Sequence, residues 1–387
     1  MRDTDVRRPV AASTRHDMPF VDGIRALSAT YVVFHHIWQF AISDPASPPP
    51  SWFRVVNVFE YGALGVAVFV VVSGYCLMLP VMAQPGEQLP GGVRRFATRR
   101  TLRIVPPYYA ALVATSILLL SFGDLRAPSG TPQDITLPTF TWPKSLAHVF
   151  MIHNWSEDWR WGINPPHWSV ALEFQIYFVF ALLLLPVWRR YGRSASVALG
   201  FAIALLLFAL GYGFAAPWML GLFAVGMLGA ALSVSTPRQE RIFGVGWGPA
   251  ALVAALAVPV AVAGAHTVTT GDAASMIGDV AIGVATMLCL VWLSHRHLDE
   301  PSSRSLVGSA LTLRPVRFLG AISYSTYLLH YPIVAAVTIL FVGDLDLGVP
   351  ATFVVIAVVS WPIILAVSVV FHRLVERPSR SHRPPAA

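Results

Sequence analysis

The stretch DGIRALSATYVVFHHIWQFAI, residues 22–42, decides how the rest of the chain is interpreted. It is long enough to cross a bilayer as a helix, which takes about 20 residues. On such a helix Arg25 and His36 share one face, about 16 Å apart along the axis, whereas His35 points about 80° away. An imidazole deep in a membrane is costly unless it lines a cavity and has a function. We therefore predict that His36 is the functional histidine and that His35 is a neighbour held by a hydrogen bond.

The composition indicates a membrane protein over the whole length of the chain. Hydrophobic residues make up 55% and charged residues 12%, whereas soluble domains carry about 25% charged residues. The two cysteines, Cys76 and Cys289, lie inside apolar stretches, so we expect neither a disulfide nor a metal site. Ten stretches are long and apolar enough to span a bilayer, at 22–42, 58–80, 104–122, 167–187, 195–214, 216–234, 247–264, 276–293, 318–342 and 349–371. The predicted fold is an all-α polytopic membrane helix bundle of about ten transmembrane helices.

The distribution of basic residues predicts the orientation. With the N-terminus in the cytoplasm, 23 of the 27 Lys and Arg residues fall on the cytoplasmic side, as the positive-inside rule requires. We predict that both termini are cytoplasmic, with an N-terminal segment 1–21, a membrane domain 22–371, an outer loop 123–166 and a basic tail 372–387. The part of the tail at 377–387 is expected to lie on anionic lipid headgroups. The net charge of +7 reflects this bias, and we expect no nucleic-acid partner.

A cluster of arginines, RRFATRRTLR, occupies residues 94–103. Several of them are three or four residues apart and share a helical face, and arginine forks bind phosphate bidentately. The phosphates of a nucleotide-linked coenzyme would fit such a site. Anionic lipid headgroups are the alternative partner, and composition alone does not choose between the two.

The fourth apolar stretch opens with HWSVALEFQIY, residues 167–177. Ser169, Glu173 and Tyr177 recur every four residues and lie on one helical face. A carboxylate at this depth needs a partner, for which Arg, His and Tyr are candidates. A structural ion pair and a catalytic or orienting role for Glu173 both stay open.

The ninth apolar stretch carries polar side chains on one helical face, namely Ser323, Tyr327 and His330. Polar side chains hold membrane helices together through hydrogen bonds. We therefore expect this face to pack against another helix rather than to carry chemistry.

Tryptophans cluster at the end of the predicted outer loop and just beyond it, at Trp155, Trp159, Trp161 and Trp168. At this level aromatic residues usually anchor the protein in the membrane interface. Their rings also suit the apolar face of a sugar. The interfacial role is favoured, and contact with a saccharide is the alternative.

Five blocks of the sequence carry a family resemblance: FVDGIRALSATYVVFHHIW, GALGVAVFVVVSGYCL, RRFATRRTLRIVPPYY, PPHWSVALEFQIYFVF and FLGAISYSTYLLHYPI. In that order they resemble the acyltransferase-3 family of bacterial membrane O-acyltransferases. The resemblance extends from about residue 20 to about residue 380. It implies a ten-helix domain in the bacterial cytoplasmic membrane that takes an acyl group from cytoplasmic acyl-CoA and passes it to a hydroxyl, often of a sugar.

The resemblance also assigns roles to single residues. The family's Arg-x10-His signature falls on Arg25 and His36, and its Arg-x-x-Arg signature falls on Arg100 and Arg103. The glutamate of its Trp-Ser-x-x-x-Glu block falls on Glu173. Many members have Glu-Glu-Gln-Phe-Tyr where this chain has Glu-Phe-Gln-Ile-Tyr. The second carboxylate is missing, so a two-carboxylate mechanism is not expected.

We interpret the chain as an O-acyltransferase that moves a short acyl group, most simply acetyl, from acyl-CoA to a carbohydrate hydroxyl, as in exopolysaccharide or lipid-linked glycan modification. The predicted catalytic residues are His36 as general base, with Arg25, Glu173 and Asp22. The residues predicted to hold acyl-CoA, a co-substrate rather than a bound cofactor, are Arg99, Arg100 and Arg103. Those predicted to contact the acceptor are Trp159, Trp161, Trp168, Ser169 and Tyr177.

Several alternatives stay open. The acceptor is alternatively a glycosylated secondary metabolite such as a macrolide antibiotic, and an acyl-histidine intermediate is compatible with the residues. A proton-coupled transporter is the alternative of another class, although it would show broken helices in paired halves and needs no arginine cluster. The sequence does not decide the acyl chain length, whether a homo-oligomer forms, or the side from which the acceptor enters.

Overall fold

A computed structural model describes residues 18–42, 50–127, 137–234, 241–242, 245–299, 305–342, 345 and 347–381. Most of the predicted segment 1–21 lies outside these ranges, as do residues 128–136 of the predicted loop and residues 382–387 of the predicted tail. The bounds predicted for these segments stay predictions.

The described chain is almost entirely helical. Its α-helices are α1 (Pro19–Ala41), α2 (Ala63–Met82), α3 (Gly92–Ser121), α4 (Trp142–Val149), α5 (Glu157–Arg160), α6 (His167–Val179), α7 (Leu185–Tyr191), α8 (Arg193–Ala209), α9 (Met219–Ser233), α10 (Trp247–Val268), α11 (Gly271–Asp299), α12 (Leu306–Leu311), α13 (Arg314–Val337), α14 (Val349–Phe371) and α15 (Arg377–Ser381). Short 3-10 helices lie at Ser51–Glu60, Pro85–Glu87, Gly123–Arg126, His153–Trp155 and Gly213–Ala215, and π-helical turns at Phe180–Leu184, Thr338–Val342 and His372–Glu376. Two strands of two residues each, β1 (Arg241–Ile242) and β2 (Val245–Gly246), pair antiparallel.

Eight helical segments of the described chain are long and apolar enough to cross a membrane. They are Ser51–Met82, Gly92–Ser121, His167–Tyr191, Gly213–Ser233, Trp247–Val268, Gly271–His297, Arg314–Val342 and Val349–Ser379. The other two predicted spans are also helical: α1 has 23 residues but several polar side chains, and α8 is apolar but has 17 residues. Each of the ten predicted stretches therefore corresponds to a helical segment. The prediction of an all-α polytopic membrane bundle is confirmed, and the orientation of its termini stays a prediction.

The chain divides into two compact units. Unit 1 consists of the described parts of Met1–Ala26, Ala67–Val93 and Val179–Gly320. Unit 2 consists of the described parts of Leu27–Val66, Arg94–Phe178 and Ala321–Ala387. The first turns of α1, which carry Asp22 and Arg25, belong to unit 1, and the remainder of α1 belongs to unit 2.

Close helix packing organises unit 1. A Cβ atom added at Gly74 of α2 or at Gly226 of α9 would overlap the backbone of the other helix. Beside this contact the buried hydroxyl of Tyr75 lies 3.1 Å from Oγ of Ser233 and 2.5 Å from Oγ of Ser294. Small residues that let backbones approach and hydroxyls that bond across helices are the usual means by which membrane helices associate. They connect α2, α9 and α11 here.

Unit 2 contains an apolar core between α1, α13 and α14. Ile37, Val334 and Ile356, one from each helix, are fully buried in it. Phe53 of the 3-10 helix Ser51–Glu60 joins the same core. Because Ile37 is adjacent to His36, this core determines the direction in which the His36 side chain leaves α1.

Candidate active site

His36 lies on the wall of a cavity of about 420 Å³ in unit 2. Ligand pockets in proteins usually measure about 300–1,000 Å³, so the volume suits a small-molecule substrate. The wall is formed by α1, the start of α2, the segment that leads into α6, and α13. The lining residues are Val32, His35, His36, Trp38, Gln39, Ile42, Gly62, Ala63, Val66, Arg160, Trp161, Pro165, Pro166, Trp168, Tyr327 and Tyr331.

The imidazole of His36 is oriented by its own helix. Its Nδ1 lies 2.8 Å from Oε1 of Gln39, which follows three residues later on α1. An amide oxygen only accepts hydrogen bonds, so Nδ1 donates its proton to Gln39 and Nε2 keeps a lone pair. In this tautomer Nε2 is the atom that can accept a proton from a substrate.

His35 lies next to His36 on α1 and is hydrogen-bonded to the backbone. Its Nδ1 lies 2.7 Å from the carbonyl oxygen of Phe59 and 3.2 Å from the amide nitrogen of Gly62. The shorter contact, to the carbonyl oxygen, favours Nδ1 as the donor. A Cβ atom added at Gly62 would overlap the His35 ring, so only a glycine at this position leaves room for the ring. The two imidazole rings are 4.9 Å apart, and both line the cavity.

Helix α13 contributes to the site more than the sequence analysis expected. The expected packing is present, because the hydroxyls of Tyr327 and Ser169 lie 2.5 Å apart. The same helix, however, places Tyr327 on the cavity wall and the fully buried His330 ring 5.1 Å from the His36 ring. The cost argument that singled out His36, an imidazole inside a membrane helix, applies equally to His330 and could have identified it.

A stack of three side chains forms another part of the cavity wall. The guanidinium carbon of Arg160 lies 4.4 Å from the ring centre of Trp161 and 4.2 Å from that of Trp168. Both distances are in the range of cation–π attraction. Trp159 is half-buried and is not among the lining residues. The stack therefore separates tryptophans that the sequence analysis had grouped together.

The predicted partner of Glu173 is a tyrosine. The Tyr177 hydroxyl donates a hydrogen bond to the Glu173 carboxylate. The guanidinium carbon of Arg100 lies 5.8 Å from the Tyr177 ring centre and 5.7 Å from that of Phe96. Arg103 is close enough to the Tyr177 hydroxyl to interact with it electrostatically. Arg100, Arg103, Glu173 and Tyr177 thus form one polar group in unit 2, which is not part of the cavity wall.

A second group of imidazoles lies in the part of unit 2 that was predicted as the outer loop. The rings of His148 and His153 stack 4.0 Å apart, and Nδ1 of His148 donates to the carbonyl oxygen of Lys144 at 2.9 Å. Burial lowers the pKa of His148 to about 4 and holds the pKa of His153 well below its ordinary value. Both rings are therefore neutral at pH 7. Among the described residues no group of three or more His, Cys, Asp or Glu side chains is placed to hold a metal ion.

A sequence profile of an acyltransferase domain, that of the acyltransferase-3 family, matches residues 18–373. The chain belongs to this family. The acyltransferase-3 chain is similar to the peptidoglycan O-acetyltransferase OatA of Listeria monocytogenes, at 23% identity over 359 residues, which cover 84% of this chain and 50% of the relative. It is also similar to the O-acetyltransferase OatA of Staphylococcus aureus, at 23% identity over 387 residues, which cover 94% of this chain and 57% of the relative. The chain thus spans about half the length of the curated relatives it matches, and no solved structure matches it.

The residues predicted for this acyltransferase-3 chain separate into two sets. Those on the cavity wall are His36, Trp161 and Trp168, with Ser169 bonded to the wall residue Tyr327. Those that do not line the cavity are Asp22, Arg25, Arg99, Arg100, Arg103, Trp159, Glu173 and Tyr177. The cavity wall also contains polar and aromatic side chains that were not predicted as site residues, among them Gln39, Arg160 and Tyr331. The chain is a multi-pass cell-membrane protein, and the roles of both sets stay predictions.

Proposed function

We propose that the chain is a membrane O-acyltransferase that moves a short acyl group, most simply acetyl, from acyl-CoA to a hydroxyl of a carbohydrate. The observation that carries the proposal is the placement of His36, with Nδ1 held by Gln39 and Nε2 available as a base on the wall of a substrate-sized cavity. Family membership supports acyl transfer. The relatives named as O-acetyltransferases, one of them of peptidoglycan, support a saccharide acceptor.

In the proposed reaction the acceptor hydroxyl lies against His36. Nε2 takes the hydroxyl proton while the oxygen attacks the carbonyl carbon of the thioester. The carbon–sulfur bond then breaks, and the imidazolium returns the proton to the leaving sulfur, so that the products are an ester and a free thiol. A positioned general base of this kind accelerates such a step by about 10²–10⁴-fold.

The acceptor would be held by the aromatic part of the wall. Trp161 and Trp168 offer flat apolar surfaces beside the cation of Arg160. A sugar ring combines an apolar face with hydroxyls, which suits indole rings next to polar groups. The lining contains further polar side chains, among them Gln39 and Tyr327, that can bond to such hydroxyls.

The donor would be held by the arginines of α3. Arg100 and Arg103 are half-buried beside Tyr177, whereas Arg99 is exposed. Arginines in such positions bind phosphate with directed, charge-assisted hydrogen bonds. The two half-buried arginines are therefore the stronger candidates for the phosphates of coenzyme A.

The test is thiol release by the purified protein from acetyl-CoA in the presence of a carbohydrate acceptor. His36→Ala should lower the turnover by about 10²–10⁴-fold and leave insertion and thermal stability near wild type, whereas His35→Ala should retain measurable activity. Swapped results would refute the assignment of the base. Proton movement into vesicles without thiol release would instead favour the transporter. Comparing carbohydrates with glycosylated macrolides as acceptors would show which of these two classes the protein acylates.

A further inference from the structure

We propose that Gln39 is the positioning residue of His36, and that its side-chain oxygen fixes the imidazole in the tautomer that leaves Nε2 free to take the acceptor's proton. This inference rests on the proposed function of His36. It adds a residue to the site that neither the family resemblance nor the sequence analysis identified.

The first support is the geometry within α1. Residues three apart on a helix are neighbours on its surface, and here Oε1 of Gln39 and Nδ1 of His36 are 2.8 Å apart. The backbone of this turn is held in place because Ile37 is fully buried and Phe40, the residue after Gln39, is 4% exposed. The two side chains therefore meet without a movement of the helix, and both lie on the cavity wall.

The second support comes from the other groups that surround His36. His35 lies beside it on α1, and His330 and Tyr331 face it from α13, with ring distances of 4.9, 5.1 and 5.0 Å. Nδ1 of His35 and Nδ1 of His330 are already bonded to the backbone carbonyls of Phe59 and Tyr327, at 2.7 and 2.8 Å. Nδ1 of His330 is therefore the protonated nitrogen of its ring. For His35 the shorter contact of Nδ1, to the carbonyl oxygen rather than to the amide nitrogen of Gly62 at 3.2 Å, favours the same tautomer.

The charged and titratable groups on the remaining wall are Arg160 and Tyr327. Among the described residues that line the cavity there is no carboxylate. Asp22 and Glu173, the two carboxylates among the predicted catalytic residues, are not lining residues. Gln39 is thus the side chain that occupies the position which a carboxylate holds beside the histidine of a catalytic triad.

The chemistry distinguishes Gln39 from a residue that merely fills space. Without an acceptor for Nδ1–H, the neutral ring distributes its proton between both nitrogens, and part of the protein carries the proton on the nitrogen that must act as the base. With a carboxylate in place of the amide, the correct tautomer is kept but the imidazolium is stabilised by the negative charge. The two replacements therefore have different effects on the rate and on its dependence on pH.

The experiment compares Gln39→Met, Gln39→Glu and a control, Gln84→Met, at an exposed glutamine outside the site. In the thiol-release assay with acetyl-CoA and a carbohydrate acceptor, Gln39→Met should lower kcat by about 10- to 100-fold, a part of the 10²–10⁴-fold effect of a general base. The KM for the acceptor should stay within about twofold, because the loss concerns the base and not substrate binding. Gln39→Glu should recover most of kcat at high pH and move the acid limb of the kcat profile by about one pH unit to higher pH, since a nearby carboxylate shifts a titration by one unit or more. Gln84→Met should match wild type.

The outcomes separate this inference from the function on which it rests. If His36→Ala is inactive but Gln39→Met keeps the wild-type kcat and pH profile, Gln39 has no positioning role. A Gln39→Met variant that raises only the KM for the acceptor makes Gln39 a binding residue and overturns the inference as well. If Gln39→Met does not fold, Gln39→Glu decides alone, because an unshifted acid limb contradicts the hydrogen bond. Full activity of His36→Ala would instead refute the proposed function.

Discussion

Replacing Arg160 by glutamine should weaken acceptor binding, because Arg160 holds two tryptophans of the cavity wall. Its guanidinium carbon lies 4.4 Å from the Trp161 ring centre and 4.2 Å from the Trp168 ring centre. A cation–π contact contributes about 0.5–1 kcal/mol when exposed and about 2 kcal/mol when desolvated. For a half-buried arginine, two contacts at about 1 kcal/mol each give about 2 kcal/mol for the stack.

This energy maintains the orientation of the indole rings before substrate arrives. In the glutamine variant the acceptor itself has to order the rings, so up to about 2 kcal/mol of its binding energy is lost. That loss corresponds to a rise of about 30-fold in the KM for the acceptor. The KM for acetyl-CoA should not change, because the proposed donor arginines are not part of this stack. Initial rates of thiol release at varied acceptor and fixed donor concentration give the KM for the acceptor. Rates at varied donor and fixed acceptor concentration give the KM for acetyl-CoA.

A double-mutant cycle tests whether the effect passes through the rings. Arg160→Gln, Trp168→Leu and the double variant should be non-additive by about 1 kcal/mol, since either single change already breaks the same contact. Trp161→Ala should raise the KM for the acceptor more than Trp159→Ala, because Trp161 contacts Arg160 and lines the cavity, whereas Trp159 is not among the lining residues. Additive effects in the cycle would refute the stack as an energetic unit. Equal effects of the two alanine variants would reduce the tryptophans to an interfacial belt.

Three further predictions concern the donor, the orientation and acid stability. Arg100→Ala and Arg103→Ala should each raise the KM for acyl-CoA by about 10- to 150-fold, because each removes a charge-assisted hydrogen bond of about 1.5–3 kcal/mol. If calorimetry shows unchanged acyl-CoA binding, the arginine cluster serves only the orientation of the protein in the membrane. In a cysteine-free background a membrane-impermeant maleimide should label intact cells at Ser129→Cys and not at Ser379→Cys, and the opposite pattern would invert the orientation. Burial lowers the pKa of His148 to about 4, so between about pH 6.5 and pH 4 the unfolded chain binds more protons than the folded protein. The free energy of unfolding should therefore fall by up to about 3 kcal/mol as the pH drops across that range. His148→Phe should reduce the fall in Tm between pH 7 and pH 5, measured by thermal unfolding in detergent, and an unchanged fall would exclude this imidazole as its cause.

The helices could be predicted from the sequence because the bilayer constrains every span. About 20 apolar residues are needed to cross it, and this requirement marks α2, α10 and α14 in composition alone. Two predicted spans, α1 and α8, are less typical. α1 carries polar side chains because one side of it faces a cavity, and α8 ends after 17 residues.

The site could be predicted only where a single helix determines it. The spacing of Glu173 and Tyr177 predicted that they share a face, and the hydrogen bond between them follows from it. The bond from His36 to Gln39 also follows from helical spacing, but a neutral amide carries no charge that would mark it as the partner of an imidazole. By contrast, the approach of His330 to His36 joins two helices that are distant in the sequence. Periodicity within one helix contains no information on such a contact.

The absence of a carboxylate among the described residues that line the cavity is consistent with the proposed leaving group. In hydrolysis of an amide by a catalytic triad, a buried aspartate stabilises the imidazolium until a poor leaving group can be protonated. A thioester releases a thiolate, whose conjugate thiol has a pKa of about 8.5 in an unperturbed cysteine, so the sulfur leaves readily and accepts the proton at once. The imidazolium of His36 then exists only briefly, and a strong counter-charge beside it would slow the return of the proton. A neutral amide such as Gln39 orients the ring without this penalty. The same reasoning predicts that the carboxylate in Gln39→Glu retains the proton on the imidazolium and makes its return to sulfur partly rate-limiting. A larger solvent isotope effect on kcat in that variant would support the thioester donor, and an unchanged isotope effect would count against it.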